Sequence, residues 1–359
     1  MKPLFTTPAL FGDDGAWGGG ERYAMELARA VAGETGQATL YAAGSRNAEW
    51  SEGPLRVVVR RPWARVRGQR FNPLPRALWP RLVEADVVHS FQQHIVMTTS
   101  AAVWARLRGI PAFATDLGGG GWDVSSYVDT SSWFAGLLHL SSYAARLAGR
   151  DDDPRDAVLY GGVWPDAVRP GPDGDGVVLY VGRLFPHKGA DVLLEAADPD
   201  WPVVLCGRPY DPRYDADLRL LAAGKRVTFA ADTDDQALEA LYRQAAVVVV
   251  PSCSVDRYGG RTRVPELLGL VALEAMARGV PVVASREASL PELIDDGVTG
   301  LLVPPRDVAA LRAAVGGLLA SPQRRAALGA AGRRRVLECF TWPRAARVAL
   351  AAYERALAA

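Results

Sequence analysis

Short apolar runs alternate with helix-period segments along most of the chain. The runs Pro3–Leu10, Ala38–Ala43, Leu55–Val59, Asp86–His89, Pro111–Thr115, Gly136–Ser142 and Ala157–Tyr160 read as strands in the first half. Val177–Val181, Val203–Leu205, Arg226–Phe229, Val247–Val250 and Pro281–Ala284 read as strands in the second. Between them, apolar residues recur at helical spacing: Tyr23, Leu27 and Val31; a stretch from Ile95 to Leu107; and Leu270, Leu273 and Ala277 ahead of the stop signal Gly279. A helix starts near Ala190, two more run to about Cys339, and Trp342–Ala359 is a last one. The later strands alternate with helix patterns, and that order predicts parallel sheets.

The length, 359 residues, exceeds what one hydrophobic core commonly spans, about 250–300 residues. The Pro- and Gly-rich stretch Trp164–Gly176 is the natural linker. The expected domains are 1–164, joined by the helix 343–359, and 165–342. Hydrophobic residues make up 49% of the chain, enough for two buried sheets. No apolar run reaches 18 residues, and the first thirty lack the order of a signal peptide, so a soluble cytoplasmic protein is expected. Three cysteines without a C-x-x-C disfavour a disulfide framework or a zinc site. A net charge of +1 predicts no general affinity for nucleic acid or membrane.

Three stretches carry candidate chemistry. Glu266 and Glu274 bracket a turn at Gly269. With Glu266 in a loop and the helix starting near Gly269, the amides of Gly269, Leu270 and Val271 form a helix N-terminus suited to an anion. Glu274, one turn inside, can accept two hydroxyl hydrogen bonds. The alternative is plain helix chemistry, with Glu266 at the N-terminus and Glu274 paired to Arg278. The second stretch, Val177–Gly189, stops its strand at Gly182 and then offers Arg183 and Lys188 ahead of a helix, which suits a diphosphate. Lys188 is one of only three lysines, with Lys2 and Lys225. The third is the glycine turn Gly15–Glu21 between the first strand and helix. It is either a phosphate-facing loop or an ordinary tight turn.

Glu266 to Glu274, with Gly269-Leu270-Val271 between them, resembles the E-x7-E signature of retaining glycosyltransferases of family 4. The resemblance implies a GT-B fold, in which two Rossmann-like domains with parallel sheets face each other across a cleft. It further implies transfer of a sugar from a nucleotide diphosphate sugar to an acceptor hydroxyl, with retention of anomeric configuration and without a metal or other cofactor. In that pattern Arg183, Lys188 and the amides after Gly269 would hold the diphosphate, Glu266 the sugar and Glu274 the ribose. Gly18 and Gly19 match the family's Gly-Gly-x-Glu element, and Gly182 and Gly207 fall at strand ends facing the donor. Many family members place a histidine in the loop Thr115–Asp123, where this chain has Asp116 and Leu117. Asp116 either contacts the sugar or acceptor there or caps its own glycine turn. Another sugar-nucleotide enzyme of the same fold, such as an epimerase or phosphorylase, is one alternative. A non-catalytic sugar-nucleotide binder is the other. Asp151-Asp-Asp153 reads as a solvated turn, and His89, His94, His139 and His187 lack ligand spacing.

Two features bear on the acceptor. The segment Cys253–Pro265 separates Ser252 from Glu266 and is expected to rim the cleft, with Asp256 and Tyr258 reaching into it or merely filling the loop. Between Leu55 and Arg81 stand eight arginines and no carboxylate, interleaved with Trp63, Phe71 and Trp79. This strip would meet an anionic membrane surface or an acidic acceptor, or else pair within the fold. No nucleic-acid motif accompanies it. The expected partners are therefore a nucleotide sugar donor and a small-molecule or lipid acceptor.

Overall fold

The computed structural model describes residues 1–8, 18–69, 72–118, 123–167 and 176–359. Most of the first glycine loop, Arg70, Phe71, residues 119–122 and most of the linker lie outside the described residues. The chain divides into two compact units, Met1–Gly161 with Trp342–Ala359, and Gly162–Thr341.

The first unit runs β1 (Pro3–Thr7), α1 (Gly19–Thr35), β2 (Ala38–Ala43), β3 (Ala48–Glu52), β4 (Leu55–Arg60), β5 (Ala64–Arg65), β6 (Pro73–Leu74), α2 (Trp79–Glu84), β7 (Val87–Phe91), α3 (Val96–Leu107), β8 (Ala112–Thr115), β9 (Gly136–His139), α4 (Ser142–Leu147) and β10 (Ala157–Val158). Its sheet has the order β10-β9-β8-β7-β1-β2-β4-β3 among the described residues. All pairs are parallel except β3 with β4. Strand β3 was not expected from the sequence. Its alternating polar residues lie on an exposed edge, so it lacks the apolar run that marks the central strands. Central strands such as β1 and β7 are buried throughout, as a sheet covered on both faces requires.

The second unit runs β11 (Val177–Val181), α5 (Ala190–Ala196), β12 (Val203–Cys206), α6 (Pro212–Ala222), β13 (Val227–Ala230), α7 (Asp235–Gln244), β14 (Ala245–Val250), α8 (Leu270–Ala277), β15 (Val282–Ser285), α9 (Leu290–Leu293), β16 (Leu301–Val303), α10 (Val308–Leu319) and α11 (Pro322–Cys339). Its sheet is wholly parallel, in the order β13-β12-β11-β14-β15-β16. Strand order reverses between β11 and β14. In open α/β sheets, ligands bind at the carboxyl edge of such a reversal. The loop 182–189 follows β11 and the loop 251–269 follows β14, so the topology brings both candidate stretches to one edge.

Helix α12 (Trp342–Ala358) returns to the first unit and packs on α1. Trp342 meets the Tyr23 ring edge-on at 5.3 Å. Tyr353, fully buried, hydrogen-bonds His89 Nδ1 at 2.6 Å. On the other side of that ring, His89 Nε2 lies 2.8 Å from Thr115 Oγ1, whose own proton goes to the Leu138 carbonyl at 2.7 Å. Thr115 must therefore accept, so His89 carries its proton on Nε2 and the Tyr353 hydroxyl donates to Nδ1. Burial pushes the His89 pKa down to about 3 and keeps the ring neutral.

Candidate functional site

The second unit assembles a polar centre at its β11/β14 edge. Lys188 Nζ donates to Glu266 Oε2 at 2.8 Å and to the Pro265 carbonyl at 2.8 Å. Ser252 Oγ lies 3.4 Å from the same carboxylate oxygen. Glu266 Oε1 accepts from the Gly269 amide at 3.2 Å. The lysine expected at the diphosphate and the glutamate expected at the sugar thus form one ion pair. Both side chains are mostly covered, with 18% and 17% of their surface exposed.

Glu266 lies in a loop and α8 begins at Leu270, as the sequence predicts. One expectation is corrected here: the Gly269 amide is not free, because it is the donor to Glu266. The first-turn donors left without a partner among the described residues are the amides of Leu270 and Val271. Gly269 itself has φ +88°, and an added Cβ would lie 3.0 Å from Leu293 Cδ1. The turn that aims Glu266 back at the helix therefore depends on glycine.

The other glycines expected to face a donor are also engaged internally. The Gly182 amide donates to the Cys206 carbonyl at 2.9 Å, and the Gly207 amide donates to that of Ala230 at 2.9 Å. A Cβ on Gly207 would lie 1.8 Å from the Gly182 carbonyl oxygen. Those two glycines let the loops after β11 and β12 approach closely. That packing role comes in addition to the ligand contact expected of them, which their internal bonds leave open.

Arg183 is exposed, and its guanidinium lies 5.4 Å from the centre of the Phe185 ring. No carboxylate pairs with it among the described residues. Phe185 stacks in turn on His187 and Tyr210. Burial, with Lys188 and Arg183 adding to it, pushes the His187 pKa down to about 4. The two cations therefore flank a neutral imidazole at neutral pH.

Glu274 sits one turn into α8. Arg278 does not take its carboxylate as the plain helix reading supposed. The guanidinium binds Glu239 at 2.5 Å and the Glu274 backbone carbonyl at 2.7 Å. The carboxylate accepts instead from the Tyr242 hydroxyl at 2.8 Å.

The segment 253–265 forms a small bridged turn, Val255 against Arg261. Asp256 folds onto it and accepts from the Tyr258 and Gly260 amides at 2.8 and 2.9 Å. Tyr258 reaches α6 and donates to Asp217 at 2.5 Å. Both side chains expected to reach outward are held inside the second unit.

In the first unit, Glu21 reaches back to the Gly18 amide at 2.5 Å and caps α1. Gly19 opens the helix. Gly20 packs close to Leu117, which would lie 3.3 Å from an added Cβ. Asp116 accepts from the Gly118 amide at 3.2 Å, so the turn-capping reading is the one observed. Close-packed chain around it pushes the Asp116 carboxyl upward, an effect limited by its open face to solvent.

Residues 17–128 match the Glycosyltransferase Family 4 family, and residues 166–335 match the Glycosyl transferases group 1 family. The chain carries glycosyltransferase group 1 and family 4 domains. It is 39% identical over 181 residues to the GDP-mannose-dependent alpha-(1-6)-phosphatidylinositol monomannoside mannosyltransferase of Mycolicibacterium smegmatis, covering 48% of this chain and 46% of that protein. It is 35% identical over 225 residues to the D-inositol 3-phosphate glycosyltransferase of Mycobacterium avium, covering 57% and 50%. The matched segments span about half the length of these curated relatives. All of the chain aligns with all of a solved sucrose-phosphate synthase from Thermosynechococcus elongatus, at 24% identity and a TM-score of 0.73. The fold is GT-B.

Two polar partners at the site escaped the sequence reading. Tyr242 is described above. The second is Asp191, fully buried at the start of α5, which accepts from Tyr214 at 2.7 Å and from Arg306 at 3.2 Å. It anchors the helix that follows Lys188. Among the described residues, no cluster of three or more His, Cys, Asp or Glu is placed to hold a metal ion.

Proposed function

We propose that this protein transfers a sugar from a nucleoside diphosphate sugar to an acceptor hydroxyl, with retention of configuration and without a metal. The carrying observation is the convergence of Lys188, Glu266 and the free α8 amides at the strand-order reversal of the second unit. In this reading Lys188, exposed Arg183 and the Leu270 and Val271 amides neutralise the leaving diphosphate, where fixed donors act most strongly on developing charge. Glu266 accepts sugar hydroxyls and Glu274 accepts ribose hydroxyls. A donor phosphate oxygen takes the acceptor's proton.

The relatives named for GDP-mannose and for inositol phosphate make GDP-mannose the first donor to try, and inositol-type polyols the first acceptors. The test is incubation with a panel of nucleotide sugars, with and without EDTA, reading released nucleoside diphosphate and the anomeric form of the product. Turnover that survives EDTA and retains configuration is expected. A requirement for Mg²⁺ or Mn²⁺ refutes the metal-free mechanism. Nucleotide-sugar binding without any turnover leaves a binder.

A lipid or membrane-borne acceptor has specific support in the first unit. The arginine strip divides in two. Arg56 and Arg60 bind Glu49 at 2.7 and 2.8 Å, and Arg81 lies 3.9 Å from it. Arg61, Arg65, Arg67 and Arg76 have no carboxylate partner among the described residues. They surround the β5–β6 hairpin, beside which Trp63 is 67% exposed with the Arg76 guanidinium over its ring at 4.7 Å. A basic hairpin with an exposed indole suits an anionic interface. No helix among the described residues is long and apolar enough to cross a membrane. Salt-sensitive co-sedimentation with anionic liposomes, weakened by Arg61→Gln and Arg65→Gln, is the expected result. Absence of binding at low salt removes this part of the reading.

A further inference from the structure

We propose that His94 is an acceptor-binding residue, whose ring nitrogen Nε2 takes a hydrogen bond from a hydroxyl of a polyol or sugar acceptor. The inference rests on the transferase reading given above and adds to it a contact in the first unit.

The first sheet has its own reversal of strand order, between β7 and β1. The carboxyl edge at that point is a place for a ligand, as it is at β11 and β14. The loop that leaves β7 there is 92–95. It is pinned at its start by the Gln92 amide, which donates to the Thr115 carbonyl at 2.8 Å. At its end the Val96 amide donates to Asn72 Oδ1 at 2.8 Å, which ties the start of α3 to the β5–β6 hairpin. Between these anchors Gln92 and His94 both take left-handed backbone, at φ +70° and +58°. Non-glycine residues in that region are uncommon and gather at ligand sites. His94 is half-buried.

The protons around the ring can be assigned. His94 Nδ1 lies 3.2 Å from Ser125 Oγ. The Ser125 hydroxyl donates to Asp123 Oδ1, and the Thr99 hydroxyl donates to Asp123 Oδ2 at 2.6 Å. A carboxylate only accepts, so both hydroxyl protons are committed to it. Ser125 can then offer His94 only a lone pair, and Nδ1 must be the donor. In the neutral ring Nε2 is therefore an acceptor. It has no partner among the described residues. A histidine that served only to hold the loop would be complete at Nδ1. The surroundings also indicate what Nε2 would meet. Asp123 and, on the loop after β8, Asp116 bring two carboxyls near the ring. Beside them an anionic ligand group is repelled, whereas a neutral hydroxyl can donate to Nε2.

Two substitutions separate this role from a structural one. His94→Asn suits the left-handed backbone and keeps a donor on the Ser125 side, but it removes Nε2. His94→Gln carries an amide towards the place of Nε2, in a residue less suited to that backbone and without the bond to Ser125. Initial rates are measured on the full chain with GDP-mannose and the other nucleotide sugars of the panel above. The acceptors are myo-inositol, D-inositol 3-phosphate, mannose and glycerol. For the acceptor that wild type uses best, kcat/KM should fall about 5- to 50-fold in His94→Asn, the effect of a bound hydroxyl left without its partner. The loss in His94→Gln should be less than about threefold. The donor KM should stay within about twofold in both, since the residues assigned to the donor lie in the second unit. Thermal unfolding should rank the variants the other way, with His94→Asn the more stable.

Equal losses in the two variants, or a larger loss in His94→Gln, would mean that the ring only holds its loop and would overturn the proposal. Undiminished acceptor kcat/KM in His94→Asn would overturn it too. So would a wild type that hydrolyses a donor and glycosylates none of these hydroxyl compounds. A wild type that neither hydrolyses nor transfers from any nucleotide sugar refutes the transferase reading itself.

Discussion

Replacing Glu266 by glutamine should have opposite effects on binding and on transfer. The carboxylate neutralises Lys188 at 2.8 Å and would stand beside any bound diphosphate as a like charge. At that separation two unit charges attract by about 1.5 kcal/mol in water and about 6 kcal/mol at an effective dielectric constant of 20. Desolvation and side-chain ordering remove most of this for a pair that keeps some exposure, leaving about 1 kcal/mol. Glutamine retains an oxygen for the Gly269 amide, so the turn should survive. Released from its partner, Lys188 should bind GDP or UDP about fivefold tighter, the equivalent of that residual energy. Transfer should fall about 30- to 150-fold, because an acceptor of sugar hydroxyl bonds is weakened at the transition state. Calorimetry at low and high salt, paired with initial rates, reads both effects, and the gain in affinity should shrink with salt. Unchanged or weaker diphosphate binding by Glu266→Gln would refute the idea that the pair restrains Lys188.

Other substitutions test neighbouring parts of the argument. Asp116→Asn keeps an acceptor for the Gly118 amide, so turnover should stay within about threefold of wild type; a tenfold loss would restore a direct role in the reaction. Gly207→Ala places a Cβ against the Gly182 carbonyl at a backbone angle of φ +154° and should cost about 3 kcal/mol or more in denaturant unfolding. His89 is neutral in the folded protein, whereas the unfolded chain takes up a proton below about pH 6.5. Its contribution is therefore complete above that pH and declines towards about pH 3, by up to about 1.4 kcal/mol per pH unit. Unfolding of wild type and His89→Gln at pH 7, 6 and 5 should show a shallower acid decline in the variant.

What was legible in the sequence was what neighbouring residues encode. The strand ending at Gly182, the cations after it, the loop position of Glu266 and the start of α8 all follow from local pattern. So does the parallel character of both sheets. The partners were not legible, because they come from distant chain. Lys188 meets Glu266 across 78 residues, and Asp191 meets Arg306 across 115. The close approach of the loops at Gly182 and Gly207 was not legible either, because it depends on a second loop from distant chain. The arginine strip looked unbalanced because Glu49, which takes up Arg56 and Arg60, lies outside it on an edge strand that lacks an apolar run.

The two ends of the second unit run side by side. The Val163 amide donates to the Phe340 carbonyl at 3.1 Å, and Gly162 is so close to that backbone that a Cβ would lie 2.4 Å from the same oxygen. The second unit is thus one continuous segment whose ends are neighbours, and the first unit is assembled from both ends of the chain. A chimaera that exchanges donor preference with a relative needs both seams, at Gly161/Gly162 and Thr341/Trp342. A single crossover after the linker would instead replace Trp342 and Tyr353, and leave Tyr23 and His89 facing a foreign helix.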